Sequence, residues 1–170
     1  MSVRPILEVP NPALKKKCEP VGEVTSDVQQ LIDDMFETMY DAPGIGLAAP
    51  QVGIHKRLLV LDIEKKNKSN PQAFIDPEIT WFSKVTDIAE EGCLSLPGQY
   101  ADVKRPKSIK LTFTDRDGVR QEMDADDLLA RCLQHEVDHL NGILFVDHLS
   151  SLKRGMILRK LAKSKRLRAG

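Results

Sequence analysis

The pentapeptide His135-Glu136-Val137-Asp138-His139 constrains this chain more than any other stretch. It spells H-E-x-x-H. On a helix, residues four apart project from one face, one turn above the other, so the two imidazoles can grip one metal ion. Glu136 is rotated by about 100° from His135. From there it can reach a water on that ion without ligating it. This is the arrangement of a metallohydrolase, with His135 and His139 as ligands and Glu136 as general base. A chain built on this pair must supply a helix here and bring a further ligand to it from elsewhere. The competing reading is an accidental match on an ordinary helix.

The flanking residues favour a helix. Asp124 or Asp126 can cap its start and Gly142 can end it in a left-handed C-cap, giving about four turns. Leu129, Leu133 and Leu140 form an apolar stripe at helical spacing, and Glu136 falls on it. Arg131, Gln134, Asp138 and Asn141 are expected on the wet face. A carboxylate on an apolar stripe suffers desolvation. Either a buried arginine neutralises it, or its raised pKa serves a proton shuttle beside a metal. The extended zinc-protease signature requires histidine where Phe145 stands, and His148 comes three residues too late for it. Cys132 shares the helix face with His135, but about 10 Å of axial rise separates it from His139. It reads as a small packing residue.

At 170 residues the chain suits one domain, 1–170, in which residues 150–170 form a basic C-terminal helix and tail. No apolar run approaches the ~18 residues of a membrane span and no charged-then-apolar leader opens the chain, so neither membrane association nor a signal peptide is expected. Cys18, Cys93 and Cys132 are odd in number and lack disulfide-like spacing, which points to a reducing cytosol and a cytoplasmic location. The net charge of +0 hides an asymmetry. Eight of the 25 Lys/Arg and no acid lie in Lys153–Gly170, leaving 17 basic against 25 acidic groups before it.

Asn11–Lys15 reads as a short turn of helix. Ser26–Tyr40 reads as a helix with Ser26 and Gln29 at capping-box spacing and Val28, Leu31, Ile32, Met35, Phe36 and Met39 facing the core. Gly44–Gly53 is uncharged and glycine-rich. It is either a buried loop or a place where backbone approaches a ligand, with the Gln51 amide as its one polar side chain. Strands are expected at 57–62, 73–75, 78–82, 85–88, 109–114 and 119–123. Strands clustered between helices give an α+β domain of mostly antiparallel sheets packed around the central H-E-x-x-H helix, with a C-terminal helix. Among the strands lies Glu90-Glu91-Gly92-Cys93-Leu94-Ser95-Leu96-Pro97-Gly98. Its cysteine can be a core residue, a nucleophile, or a thiolate completing a His₂Cys metal set with one open position.

Three stretches taken together resemble the motifs of bacterial peptide deformylase, in order: Gly44-Ile45-Gly46-Leu47-Ala48-Ala49-Pro50-Gln51, Glu91-Gly92-Cys93-Leu94-Ser95-Leu96-Pro97 and Gln134-His135-Glu136-Val137-Asp138-His139. The resemblance spans essentially the whole chain and is to the shorter Gram-negative type. It implies removal of the formyl group from the N-terminal formylmethionine of nascent polypeptides, with release of formate. It implies Cys93, His135 and His139 as ligands of one divalent metal, Fe2+ with Zn2+, Ni2+ or Co2+ as substitutes. Glu136 would carry the proton, and the Gln51 amide and Leu94 backbone N–H would meet the oxyanion. Ile45 and Leu128 would take the methionine side chain, while Gly46 and Gly92 align the peptide as an added strand. Tyr100 lies in a stretch that varies in the family, and no role is assigned to it.

The tail places Leu152, Met156, Ile157 and Leu161 on one helix face, expected to dock on the body with basic residues outward. It is either a solvated helix or, as the resemblance implies, a contact to ribosomal RNA. A monomer is expected. Two rival functions stand beside the deformylase reading. One is a zinc endopeptidase of another H-E-x-x-H class. The other is a non-catalytic protein whose metal is closed by a fourth ligand, for which His55 and His148 are the spare histidines.

Overall fold

A run of aliphatic residues, Leu58-Leu59-Val60-Leu61, sits between two helices in the computed structural model, which describes residues 2–169. The chain runs through α1 (Ser26–Asp41), β1 (Gly46–Ala48), β2 (Leu58–Asp62), β3 (Pro71–Phe82), β4 (Thr86–Cys93), β5 (Leu96–Pro106), β6 (Ser108–Thr114), β7 (Arg120–Asp126), α2 (Asp127–Leu140) and α3 (Ser151–Ala169), with short 3-10 turns at Pro12–Lys15, Ala49–Val52 and Phe145–His148. Side chains alternate along a strand, so β2 presents Leu58 and Val60 to one side and Leu59 and Leu61 to the other. The first pair packs with Ile32, Met35 and Met39 of α1. The second packs with Ala130, Leu133 and Val137 of α2. Burial on both faces explains the unbroken apolar run, and the buried Asp62 that ends the strand is satisfied by Tyr40, Ser69 and Asn70.

The strand order is β1-β2-β3-β6-β7, antiparallel throughout, while β4 and β5 form a separate antiparallel hairpin. α1 and α2 thus cover opposite faces of the five-stranded sheet. A third apolar cluster joins the hairpin (Leu96, Val103) to Phe145, Val146 and α3 (Ile157, Leu161). This is the expected α+β class, with antiparallel sheets around the H-E-x-x-H helix and a C-terminal helix.

Several local expectations are corrected. The α1 N-cap is Thr25, whose hydroxyl accepts from Val28 N–H, and not Ser26. The segments at 73–75 and 78–82 are one strand, β3, with a register shift between Ile75 and Glu78 that spans Pro77, which has no N–H to give a ladder, and a second between Ile79 and Trp81. Asp126 occupies the α2 N-cap without a side-chain capping bond, and Asp124 lies within β7. Gly142 follows the C-cap Asn141 with φ +74°, the left-handed conformation expected there. β5 was legible to none of the strand patterns. The supposed wet face of α2 is largely dry, since Arg131 and Gln134 are both buried. On α3 only Ile157 and Leu161 of the expected apolar face are buried, and Leu152 and Met156 are exposed.

Candidate active site

Two distant segments bring the metal-type ligands together. Cys93 ends β4, while His135 and His139 lie one turn apart on α2. Their ligand atoms all fall within 4.8 Å of one another, and Cys93 Sγ is 3.3 Å from His139 Nε2. The His135 ring faces that of His139 at 5.2 Å between centroids. On its other side it stacks on Phe145, the position where a third histidine of the extended zinc-protease pattern would stand. His55 bonds to the Ala13 carbonyl and His148 to Asp138, so neither spare histidine joins the cluster.

The cysteines differ in the way the cluster requires. Burial opposes ionisation of Cys93, but the imidazoles of His139 and His135 outweigh it and hold the thiol well below its ordinary pKa. Burial together with the carboxylates of Glu136 and Glu91 pushes Cys132 up to about 12, and burial also raises Cys18. Cys93 is therefore the thiolate of the three. Packing alone does not account for it.

His135 is fixed from behind. Its Nδ1 lies 2.9 Å from Glu91 Oε1, leaving Nε2 to face the cluster, as metal-bound histidines require. Glu91 is itself held by Arg105, at 2.6 Å and 2.9 Å, and by Arg131 at 2.5 Å. Burial penalises the Glu91 carboxylate, but the bonds from His135 and Arg105 prevail and hold its pKa near 2. A fixed thiolate, two converging imidazoles and an ionised outer carboxylate are a donor set that fits one divalent ion.

Glu136 projects toward the same space, 3.9 Å from His139 Nε2, and among the described residues no arginine pairs with it. Burial raises its pKa, opposed by His135 and His139. Of the two explanations for a carboxylate on the apolar stripe, the buried arginines belong to Glu91 and the proton shuttle is left for Glu136. Gly46 makes room for it: a Cβ there would lie 2.6 Å from Glu136 Oε2. Gln51 is aimed by its own turn. Its Oε1 accepts from Ala48 N–H at 2.9 Å, which turns Nε2 toward Ser95 Oγ (3.1 Å) and Cys93 Sγ (3.6 Å).

A cleft of about 740 Å³ opens over these groups. Gln51, Cys93, Leu94, His135 and Glu136 line it, as do Ile45, Gly46, Gly92 and Leu128. Ile45 and Leu128 are 48% and 51% exposed, apolar surface without a partner at the cleft mouth. His139 lies behind the cleft wall, 1% exposed. Tyr100 sits opposite Gly92 in the hairpin and also lines the cleft.

Reading the sequence missed Glu91, Arg105, Arg131 and Ser95 as parts of the site. One signal was available for Glu91. A metal-bound imidazole needs an acceptor on its second nitrogen, and Glu91 stands two residues from the candidate thiolate. Nothing in the spacing of Arg105 and Arg131 points to it.

Comparison with known proteins agrees with this geometry. Residues 3–155 match the family described as polypeptide deformylase. A peptide deformylase of Zymomonas mobilis is 54% identical over 173 residues, covering 99% of this chain and 98% of that one. One from Rhodopseudomonas palustris is 53% identical over 167 residues, with 96% and 95% coverage. The crystal structure of peptide deformylase from Ehrlichia chaffeensis superposes with a TM-score of 0.95 at 38% identity, covering 99% of this chain and 100% of that one.

Proposed function

This chain belongs to the polypeptide deformylase family and is an enzyme that removes the N-formyl group of nascent polypeptides; from that premise we propose how its own residues perform the reaction. Cys93, His135 and His139 hold one divalent ion, which we assign as Fe2+, with Zn2+, Ni2+ or Co2+ able to occupy the same thiolate–imidazole set. When bound, such an ion supplies a Lewis acid that acidifies water and polarises a carbonyl oxygen. Glu136 takes the proton of the attacking water at a carboxylate oxygen. Its raised pKa suits it to release that proton to the leaving amine nitrogen as the formyl C–N bond breaks. Formate and a free N-terminal methionine result.

The Gln51 Nε2–H and the Leu94 backbone N–H donate to the oxygen on which negative charge develops. Gln51 needs no reorientation for this, because Ala48 already fixes its amide. Ile45 and Leu128 cover the methionine side chain, and burying exposed apolar surface there gives the substrate its grip. Backbone at Gly46 and Gly92 aligns the peptide as an added strand. Residues 1–170 act as one catalytic domain, monomeric and cytoplasmic. No helix among the described residues is long and apolar enough to cross a membrane. The outward basic residues of α3 provide the contact to the ribosome.

The observation that carries this reading is the convergence of a thiol from β4 and two imidazoles from α2 within 4.8 Å. Its test is formate release from a formyl-Met peptide by anaerobically purified protein whose metal content is assayed. Equimolar formate and free peptide from protein holding about one ion per chain is expected. Cleavage of internal peptide bonds without formate would overturn it.

A further inference from the structure

Asp138 lies inside the H-E-x-x-H pentapeptide of α2 yet faces away from the cleft. Its Oδ2 receives Arg105 Nη1 at 2.9 Å and lies 2.8 Å from His148 Nε2. Arg105 grips Glu91 at 2.6 Å and 2.9 Å, and Glu91 holds His135 Nδ1 at 2.9 Å. An unbroken chain of short contacts therefore runs from His148 through Asp138, Arg105 and Glu91 to His135. One end is at the surface, since the His148 side chain is 37% exposed. The middle is dry, with the Arg105 and Glu91 side chains at 4% and 5%.

Those burial figures decide what the chain can do. In water, an Asp–Arg contact contributes little, because solvent competes and screens. Arg105 has no such alternative. Its guanidinium spans two carboxylates, and the direction in which it presents Nε and Nη2 to Glu91 is set by where Asp138 holds Nη1. Asp138 is half of that frame, and His148 is the group that keeps Asp138 from swinging toward solvent. Arg131 holds Glu91 from a different side, through Nη1, and is anchored independently on the Val103 and Asp87 carbonyls. Loss of the outer pair therefore loosens Glu91 without releasing it.

We propose that Asp138 and His148 are positioning residues for the ligand His135, acting through Arg105 and Glu91 from a second cleft on the far side of α2. That cleft, of about 470 Å³, is lined by His148, Asp138, Arg105 and Gln134, and none of the substrate-side residues reaches it. The inference rests on the metal-binding reading of Cys93, His135 and His139. Outer partners of a metal-bound histidine change metal affinity by about 10- to 100-fold when removed. Asp138, two contacts out from Glu91, is expected at the lower end of that range, and His148, one contact further, below it.

The test is the rate at which metal-loaded protein loses its ion to excess chelator, with the thiolate–metal absorption of cobalt-loaded protein as a second readout. Asp138→Asn should speed metal loss about tenfold. His148→Ala should speed it by a smaller factor, and His148→Gln, whose amide N–H can replace the ring nitrogen, should restore the wild-type rate. The double variant should lose metal no faster than Asp138→Asn alone, because His148 acts only through Asp138. KM for a formyl-Met peptide should stay constant while kcat falls. Wild-type rates of metal loss in both single variants, or additive effects in the double, would overturn the proposal. If Asp138→Asn fails to fold, the surface pair His148→Ala and His148→Gln still decides it, by the same rates. Wild-type protein that holds no ion at all would instead defeat the underlying metal reading.

Discussion

Replacing Gly46 by alanine asks whether the position of Glu136 matters to within an ångström. The added Cβ would lie 2.6 Å from Glu136 Oε2 and 2.8 Å from Leu61 Cδ2, whereas ordinary contact begins at 3.4 Å. Leu61 is 1% exposed and packed in the core between β2 and α2, so it has little room to yield. The carboxylate is the freer partner, and reaching ordinary contact moves it by about 0.8 Å, the difference between those two distances. A misplacement of about 1 Å in a catalytic group can cost about 100-fold in rate. The expected loss in kcat is therefore roughly 10- to 100-fold, or about 1.4 to 2.7 kcal/mol in the barrier. Overpacking against Leu61 adds about 1–3 kcal/mol of destabilisation. The assay is steady-state formate release beside metal content and a thermal melt. Metal content should stay at the wild-type level, since no ligand is touched. A Gly46→Ala enzyme with wild-type kcat would refute the claim that Glu136 acts from the position it occupies here.

Three further outcomes follow from the same contacts. Glu136→Ala should keep its metal and lose about 100- to 10,000-fold in turnover, the usual worth of a general acid–base, whereas Cys93→Ala should lose the metal itself; metal analysis beside formate release separates the two. Glu91→Gln leaves the buried Arg131 without its counter-charge and Arg105 with Asp138 alone, a loss that typically costs about 3–5 kcal/mol and should appear as a lowered midpoint in denaturant. Because folding depresses the Glu91 pKa from 4.5 to about 2, its ionised form stabilises the wild type fully above about 4.5 and that contribution is lost as pH falls toward 2. The Gln variant should lack that part of the acid slope, and an unchanged slope would count against the network. Deleting Lys163–Gly170 should weaken ribosome binding and flatten its salt dependence while a short formyl-Met peptide is still hydrolysed, although it removes the Lys165 and Arg168 contacts to Glu8 at the cleft edge. Salt-insensitive, undiminished ribosome affinity would remove α3 from that role.

The parts of the molecule that were readable in advance are those where one residue type has one physical meaning. Leu58-Leu59-Val60-Leu61 can only be a doubly buried strand or a buried helix segment, and its short length decides for the strand. His135 and His139 name their helix because residues four apart on one lie a turn above each other, where two imidazoles converge. The β4–β5 hairpin was legible only at the start of β4, because charged residues share its inward positions with Leu96 and Val103. Glu91 and Arg105 are buried there, so the apolar/polar alternation that marks a strand is broken at those positions. Arg131 deceived in the same way on α2. Each is polar by type and buried in fact, and the compensation lies 14 or 40 residues away in sequence. Local consistency fails where the site needs charge inside the protein. The α3 face was misjudged for a simpler reason: the helix rests on the body through Ile157 and Leu161, and Leu152 and Met156 turn past the contact.

X-ray absorption at the metal edge of zinc-loaded protein addresses the centre of the account most directly. One sulfur scatterer at about 2.3 Å with two imidazole nitrogens at about 2.0–2.1 Å is the expected first coordination sphere, and the sulfur should vanish in any metal retained by Cys93→Ala. A wild-type spectrum fitted by nitrogen and oxygen alone would contradict it.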